Sequence, residues 1–251
     1  MVVIGLRYLI HFSYDGSDFY GYQKQPGMRT IEGEFEKALY SINNHKITKI
    51  FSSGRTDSLV HALSQTAHFD LEINITLYKL KCALNSLLPS DIHVFLVETV
   101  DNEFHSRYMA TEKTYKYIIN CGEYNPLYRK YQYQYNRKLN IEKMKLAIKD
   151  FIGTHNFKNF VSEECVKKNY MRCITKASIN MKDDIIEINF TGNGFMKYQV
   201  RNMVGVLIKI GELKLKESAV SDLLLNRKSN HVFTAPAQGL YLVCVNYDNN
   251  K

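Results

Sequence analysis

The sequence predicts an α+β protein composed of two similar α/β halves. Segments in which apolar and polar residues alternate, as they do in strands, are interspersed with segments of helical apolar spacing. Both kinds of segment occur in mixed order in each half, so we expect domains at residues 1–105 and 106–251. The hydrophobic fraction of 45% is typical of globular proteins and allows a sizeable core.

The first half is predicted to contain four strands and two amphipathic helices. The strands are alternating or short apolar runs that end in polar turns, at residues 7–14, 47–53, 65–70 and 92–100. The helices repeat apolar residues every three or four positions, at residues 31–43 and 77–87. Thr30 is placed to cap the first helix. Pro89 ends the second, because proline disfavours helical geometry in the residue before it.

The second half is predicted to contain four strands and three helices. The strands lie at residues 115–120, 174–181, 185–191 and 240–247. The middle two form a hairpin around Lys182-Asp183. The helices lie at residues 141–151, 195–210 and 218–225. Asn140 is placed to cap the first of these helices, and Gly153 to end it.

Charge and cysteine content narrow the class of protein. Lys and Arg number 33 against 25 for Asp and Glu, and the net charge of +8 favours a polyanionic partner. The five cysteines are odd in number and form no C-x-x-C pair, which predicts reduced thiols rather than disulfides or a zinc site. The N-terminus lacks a signal-peptide core, and no apolar run approaches the ~20 residues that span a bilayer. We therefore expect a cytoplasmic protein.

Most motifs of cofactor and metal chemistry are absent from the sequence. It contains neither of the glycine-rich phosphate-binding patterns, nor the G-x-S-x-G turn of hydrolases. Gly192-Asn193-Gly194 resembles a fragment of such a pattern, but a turn explains it better. His61 and His68 are seven residues apart with no cysteine nearby, so we expect no metal site.

The polar turn Gly54-Arg55-Thr56-Asp57 has two interpretations. An aspartate in such a turn is ordinarily a turn or capping residue, since its carboxylate accepts nearby backbone hydrogen bonds. Alternatively, a neighbouring arginine keeps the carboxylate ionised, and an ionised carboxylate can act as a nucleophile. The local sequence alone does not separate these two roles.

A series of short motifs over nearly the full length resembles the TruA family of tRNA pseudouridine synthases. Each motif is weak alone, but they occur in the family's order, which makes their sum specific. The motifs are Tyr14-Asp15-Gly16, Phe19-Tyr20-Gly21-Tyr22-Gln23, Gly54-Arg55-Thr56-Asp57, Val60-His61-Ala62, Ala83-Leu84-Asn85, Phe104-His105-Ser106-Arg107-Tyr108, Tyr115-Lys116-Tyr117, Val200-Arg201-Asn202-Met203 and Ala235-Pro236-Ala237.

The resemblance implies a fold and a reaction. The implied fold is that of pseudouridine synthases, in which both halves share a mixed, mainly antiparallel central sheet with helices packed on it and a basic cleft between. The implied reaction breaks the glycosidic bond of uridine, turns the uracil and joins its C5 to the ribose, without cofactor or metal. The implied substrate is the anticodon stem-loop of tRNA, and the implied assembly is a homodimer.

The resemblance also assigns roles to individual residues. Asp57 is the nucleophile, which attacks either the sugar C1′ or the uracil ring. Arg201 pairs with this carboxylate, Tyr115 packs on the target base and is a candidate for proton abstraction, and Arg55 helps to hold the flipped nucleotide. The residues expected to contact substrate are Tyr115, Gln23, His61 and Arg107.

Three positions depart from the family pattern. Ser58-Leu59 follows the aspartate where the family usually has Ala-Gly, and leucine adopts positive φ less freely than glycine. If the turn requires that conformation, the loop must differ, and catalytic rate or RNA choice is expected to change with it. Lys197-Tyr198-Gln199 precedes Arg201 where the family tends to carry His and Met, and Tyr22 stands where it often has Trp.

Basic residues recur beside tyrosines in segments 108–117 and 128–131, as an RNA-binding surface requires. An ordinary solvated basic face remains the alternative for each segment. A further basic group comprises Lys167, Lys168, Arg172 and Lys176. The competing functional hypotheses are the same chemistry on ribosomal RNA, and an RNA-binding module without activity. Retention of Asp57, Tyr115 and Arg201 argues against the second of these.

Overall fold

The computed structural model describes residues 5–162, 169–225 and 233–248. The chain separates into two compact units, Met1–Thr111 with Leu242–Lys251, and Glu112–Tyr241. The C-terminal residues thus cluster with the first unit. The proposed domain division at 105 stays a prediction.

The first unit contains an antiparallel sheet whose central strands are β1 (Leu6–Tyr14) and β3 (His61–Leu71). β4 (Ile92–Val100) pairs with the other side of β1, and the two-residue strand β2 (Phe51–Ser52) pairs with β3. Beside β3 lies β10 (Leu240–Tyr247), the last strand among the described residues. Tyr14 at the end of β1 is opposite Ala62 at the beginning of β3, so the segment that follows β1 lies close to the one that precedes β3.

Two helices cover this sheet, α1 (Ile31–Ile42) and α2 (Leu77–Leu87). The Thr30 hydroxyl accepts a hydrogen bond from the Gly33 amide at 3.3 Å, which confirms the predicted cap of α1. Phe35 of α1 packs edge-on against Phe12 of β1, with ring centroids 4.6 Å apart. Both rings are fully buried and form part of the core of this unit.

The second unit contains a sheet in the order β5 (Ala110–Asn120), β9 (Ile185–Gly192), β8 (Met171–Lys182) and β7 (Gly153–Asn156). These pairs are antiparallel, and β8 and β9 form the predicted hairpin. The short strand β6 (Tyr133–Gln134) is parallel to β5. The sheets are therefore mixed and mainly antiparallel, and the predicted α+β class is confirmed.

The helices of the second unit are α3 (Ile141–Ala147), α4 (Gln199–Gly211) and α5 (Ala219–Leu224). Asn140 caps α3 as predicted, since its side chain accepts a hydrogen bond from the Lys143 amide at 3.0 Å. Nearly every residue of α4 is buried, and α3 and α5 both pack against it. α4 therefore forms the centre of this unit's core.

Several predicted elements differ from the structure in their bounds. The helix expected at residues 141–151 is α-helical only to Ala147 and continues as a 3-10 helix, Ile148–Phe151. The helix expected from residue 195 begins at Gln199, because Tyr198 has a φ of 65° and so cannot continue a right-handed helix. The strand expected at residues 47–53 is reduced to Phe51–Ser52.

Membrane-spanning helices and metal-ligand groups can be sought only among the described residues. Within the described ranges no helix has the length and hydrophobicity that a bilayer crossing requires, and no group of potential metal ligands occurs. Cys82, Cys121, Cys173 and Cys244 are free thiols. Cys165, Lys167 and Lys168 lie outside the described residues.

Candidate active site

Asp57 lies in a loop between β2 and β3 that we call the aspartate loop, residues 54–60. A tight turn closes the loop, since the Val60 amide donates a hydrogen bond to the Asp57 carbonyl at 3.3 Å. Leu59 occupies the third position of this turn with a φ of 67°. A positive φ at that position is characteristic of a type II turn, which favours glycine. The turn therefore has the positive φ that the family's glycine would adopt, although leucine occupies this position.

Hydrogen bonds to the end of β1 and to the segment after it hold the aspartate loop in place. Thr56 receives two of them, one between its hydroxyl and the Tyr14 hydroxyl at 2.7 Å and one from the Tyr22 amide to its carbonyl at 3.1 Å. Ser58 adds a third, from its hydroxyl to the Phe19 carbonyl at 3.0 Å. Burial raises the pKa of Tyr14 to about 12, so this residue remains a neutral phenol at physiological pH. The position of Asp57 is thus fixed by the hydrogen bonds of its two chain neighbours, Thr56 and Ser58.

Two glycines allow the segment after β1 to approach the aspartate loop closely. A Cβ on Gly16 would lie 2.0 Å from the Val60 carbonyl oxygen, which is an impossible contact. Gly21 has a φ of 93°, and a Cβ there would lie 3.0 Å from the Thr56 carbonyl oxygen. The sequence showed both glycines as parts of family motifs, but not that they pack on the loop. Only their positions in the chain, just after a predicted strand, hinted at that role.

Asp57 itself is partly exposed, as a group that meets a substrate must be, and Arg55 is exposed beside it in the loop. Gln23 is also exposed and follows Tyr22, whose amide bonds to the loop. Within the first unit, the structure therefore brings Asp57, Arg55 and Gln23 to one region. A partly exposed carboxylate with an exposed guanidinium nearby can receive an anionic nucleotide without burying an unpaired charge.

His61 has a supporting position in the same region. It is only 2% exposed, and its Nδ1 accepts a hydrogen bond from the Gly16 amide at 3.1 Å. This bond fixes the turn that follows β1 against the beginning of β3. The ring therefore stabilises the contact through which Gly16 reaches the aspartate loop.

Arg107 lies at the other end of β3. Its neighbour Ser106 bonds to His68 at 2.9 Å and to the Phe51 carbonyl at 2.5 Å. His68 is seven residues after His61 on the strand, a separation of roughly 23 Å at the usual rise per residue. Within the first unit, Arg107 is thus not brought next to the aspartate loop, although it is exposed and can contact RNA at a distance from it.

Tyr115 belongs to the second unit and is held by regular structure. It lies on β5 opposite Phe190 of β9 and is 8% exposed. Phe195 packs edge-on against its ring, with centroids 5.1 Å apart. The sequence predicted a helix that begins at Phe195, whereas the structure places this residue before α4 and against Tyr115. An aromatic ring held in this way has a fixed orientation, which a stacking partner for a base requires.

Arg201 lies in the first turn of α4. Its Nε donates a hydrogen bond to the Ala235 carbonyl at 2.7 Å, and its guanidinium lies 4.9 Å from the centre of the Tyr198 ring. The N-terminus of a helix already carries partial positive charge, so a cation there favours an anionic partner. The guanidinium is oriented by the Ala235 bond and is suited to bind a carboxylate or phosphate.

A protein-family model described as tRNA pseudouridine synthase matches residues 10–109 and 147–248 of the chain. These residues include the aspartate loop in the first unit and Arg201 in the second.

Three curated relatives, each called tRNA pseudouridine synthase A, are similar to the chain over almost their whole length. The relative from Limosilactobacillus reuteri (strain DSM 20016) is 43% identical, covering 97% of this chain and 98% of the relative. The relative from Streptococcus uberis (strain ATCC BAA-854 / 0140J) is 40% identical, covering 97% and 99%. The relative from Listeria monocytogenes serotype 4b (strain CLIP80459) is also 40% identical, covering 96% and 99%.

Among solved structures, a chain of the archaeal box H/ACA sRNP Nop10-Cbf5 complex resembles this one only weakly. The TM-score is 0.34 at 12% identity, covering 78% of this chain and 44% of that chain. A likeness at this level adds nothing to the description of the fold or the site.

Proposed function

The chain belongs to the tRNA pseudouridine synthase family, and we propose that it isomerises uridine to pseudouridine in the anticodon stem-loop of tRNA, with Asp57 as nucleophile. The observation that carries this proposal is the aspartate loop. The loop is held by hydrogen bonds to the end of β1 and to the segment after it, while Asp57 remains partly exposed. A turn residue with only a capping role does not need a support of this kind.

The reaction requires the exchange of one bond for another within the same nucleotide. The C1′–N1 glycosidic bond breaks and N1 takes up a proton, the uracil turns, and C1′ forms a bond to C5. C5 gives up its proton to a base, which exchanges it with solvent. Asp57 forms a transient covalent bond either to C1′ or to the uracil ring, and is released unchanged. Atoms and electrons balance without an oxidant, a reductant or an energy source, so the chain's own side chains are sufficient to carry the chemistry.

Arg201 and Tyr115 supply the remaining groups in this proposal. Arg201, in the first turn of α4, keeps the Asp57 carboxylate ionised and oriented. Tyr115 packs on the turned uracil in this proposal and is the candidate to accept the C5 proton. Support for this role comes from the edge-on packing of Phe195, which fixes the Tyr115 ring.

The RNA contacts follow from exposure and charge. The target base must leave its stack to be reached, and two exposed residues, Arg55 of the aspartate loop and Gln23, hold the extruded nucleotide. His61 acts indirectly through the Gly16 contact. Arg107 binds phosphate at a distance from the reacting uridine. Further contacts come from exposed tyrosines beside basic residues, of which Tyr108 is 80% and Tyr128 is 49% exposed.

The assembly and the location belong to the same proposal. The enzyme acts as a homodimer in the cytoplasm, where its tRNA substrate is found. The dimer is expected because members of the family that the sequence resembles bind tRNA as homodimers. The cytoplasm is expected from its reduced thiols, four of which the described residues contain.

The proposal is tested by release of tritium from the C5 position of uridine in labelled RNA. Asp57→Asn and Asp57→Ala are expected to abolish release from tRNA, because no other group supplies the covalent bond. Their RNA affinity should stay within about tenfold of the parent, because phosphate contacts dominate affinity. Asp150→Asn, at an exposed position of the second unit, is the matched control and should release tritium at the parental rate.

The same assay distinguishes the alternatives. Release from ribosomal RNA fragments but not from tRNA would identify ribosomal RNA as the substrate while retaining the chemistry. RNA binding without release from either RNA would identify a binding module. Equal release by the parent and Asp57→Asn would remove Asp57 from its assigned role.

A further inference from the structure

Leu59 combines two unfavourable features at the aspartate loop. Its φ of 67° is a conformation in which the Cβ crowds the backbone, so a leucine there is strained where a glycine is not. Its residue surface is 41% exposed, so a large apolar side chain is left in water. Strained residues that are kept in a structure are concentrated at functional sites.

The surrounding contacts show that the turn, and not the side chain, is what the fold requires. Val60 closes the turn by bonding to the Asp57 carbonyl, and Ser58 bonds to the Phe19 carbonyl. Both bonds would form equally well with glycine at position 59. The chain therefore keeps a glycine-type turn but displays a leucine side chain from it, two residues after Asp57.

The backbone that carries this side chain is held in place by its neighbours. Ser58 and Val60, on either side of Leu59, are both hydrogen-bonded, so the direction of its Cα–Cβ bond is fixed by the loop. An exposed apolar side chain on a fixed turn, two residues after Asp57, is suited to enter a stack of bases, because bases present apolar faces to their neighbours. Apolar side chains that enter between base steps are a known means of unstacking them.

We propose that Leu59 is a wedge that enters the RNA where the target uridine has turned out and occupies the space left between its neighbours. This inference rests on the proposed function, because it assumes that a uridine reacts at Asp57. Opening a stacked or paired position requires free energy, and a wedge recovers part of it by replacing the lost stacking contacts. Leu59 is thus a substrate-positioning residue, and it discriminates between RNAs by how firmly the target is stacked.

The prediction is a loss of activity that depends on the RNA. Two substrates are used, a hairpin with the labelled target uridine paired in its stem, and an unstructured RNA with the same flanking sequence. Leu59→Gly is expected to lower kcat/KM on the paired hairpin by about tenfold or more, and on the unstructured RNA by less than about threefold. Leu59→Met, which keeps a long apolar side chain, should retain most of the activity on both.

A matched control is offered by Leu213 in the second unit. It too is a leucine with positive φ, of 60°, and it is 63% exposed. Leu213→Gly and Leu59→Gly should both raise the melting temperature, by about 2–4 °C, because each removes a strained conformation. Only Leu59→Gly should change the ratio of activities on the two RNAs.

Three results would overturn the wedge. If Leu59→Gly is more stable and equally active on both RNAs, the side chain has no part in the reaction. If activity falls equally on both, the change disturbs the loop as a whole. If Leu59→Met behaves like Leu59→Gly, an apolar side chain is not what matters. In each case the parent's tritium release is unaffected, so the proposed function stands or falls separately.

Discussion

The two regions that we assign to the active site are built in different ways. The aspartate loop has no regular structure, contains a strained residue, and is held by hydrogen bonds from a segment some 40 positions earlier in the chain. Tyr115 and Arg201 instead lie on β5 and on α4, where sheet pairing and a buried helix fix them. One region is positioned by specific contacts and the other by secondary structure.

The difference indicates where each region is vulnerable. A strand or helix tolerates the loss of one contact, because many neighbours still define its path. A loop held by a few bonds loses its geometry when one of them is removed, and a displacement of about 1 Å near the reacting atoms can lower a rate 100-fold. A substitution in the aspartate loop should therefore lower the rate of catalysis. A substitution of equal size in the strands and helices should lower only the stability of the fold.

The largest effect is expected from Gly16→Ala. The new Cβ would lie 2.0 Å from the Val60 carbonyl oxygen, so the loop and the segment after β1 must separate. We expect a loss of about 2–3 kcal/mol in unfolding free energy. The folded fraction should lose about 100-fold or more in activity.

The control for Gly16→Ala is Gly27→Ala. Gly27 has a φ of 71° but nothing within 4 Å of its Cβ position, so only backbone strain is added. It should cost about 1 kcal/mol and leave tritium release unchanged. Urea unfolding and the tritium assay measure the two quantities. A fully active Gly16→Ala enzyme would mean that the close contact does not position Asp57.

A smaller and more exactly matched effect is expected from two buried tyrosines. The Tyr14 hydroxyl lies 2.7 Å from the Thr56 hydroxyl in the first unit, and the Tyr117 hydroxyl donates to the Pro236 carbonyl at 2.7 Å in the second. Replacing either by phenylalanine leaves a buried polar group with one bond fewer, so each should cost about 1–2 kcal/mol.

Only the substitution at Tyr14 should also slow the reaction, by about threefold to tenfold in kcat, because only Thr56 adjoins Asp57. Urea titration and single-turnover kinetics on both variants measure the pair. If kcat falls equally in Tyr14→Phe and Tyr117→Phe, the distinction between the two regions fails.

The same distinction explains which features the sequence predicted. Both caps, Thr30 and Asn140, and most strands followed from local patterns, because periodicity and capping depend on neighbours in the chain. The predicted start of α4 at residue 195 was wrong, because the apolar spacing does not indicate that Tyr198 adopts a positive φ.

Within the site, the motif residues were recognised, but the contacts that support them were not. The approach of Gly16 to Val60 joins positions 44 residues apart and depends on how β1 and β3 pair, which periodicity does not encode. The sequence raised the question of whether the turn at Leu59 requires a positive φ. Only the backbone conformation of the structure shows that it does.

The smallest effect on activity, and the last contrast between the units, concerns acid stability. Burial, followed by repulsion from His105 and Arg7, lowers the pKa of His68 in the first unit to about 4. In the second unit, burial favours protonation of Glu212, but hydrogen bonds from Lys214, Lys209 and Tyr135 outweigh it and lower the pKa of that carboxyl to about 2.

Both groups bind their proton more readily in the unfolded chain, so the folded state loses stability as the pH is lowered. The loss occurs over a different pH range for each group. The His68 contribution is present above pH 6.5 and is lost as the pH falls toward 4, whereas that of Glu212 is lost between pH 4.5 and 2. Hydrogen exchange followed by mass spectrometry should therefore show the first unit losing protection at a higher pH than the second. His68→Gln should remove the upper step while leaving tritium release at neutral pH unchanged, and an upper step that persists in this variant would assign it to another group.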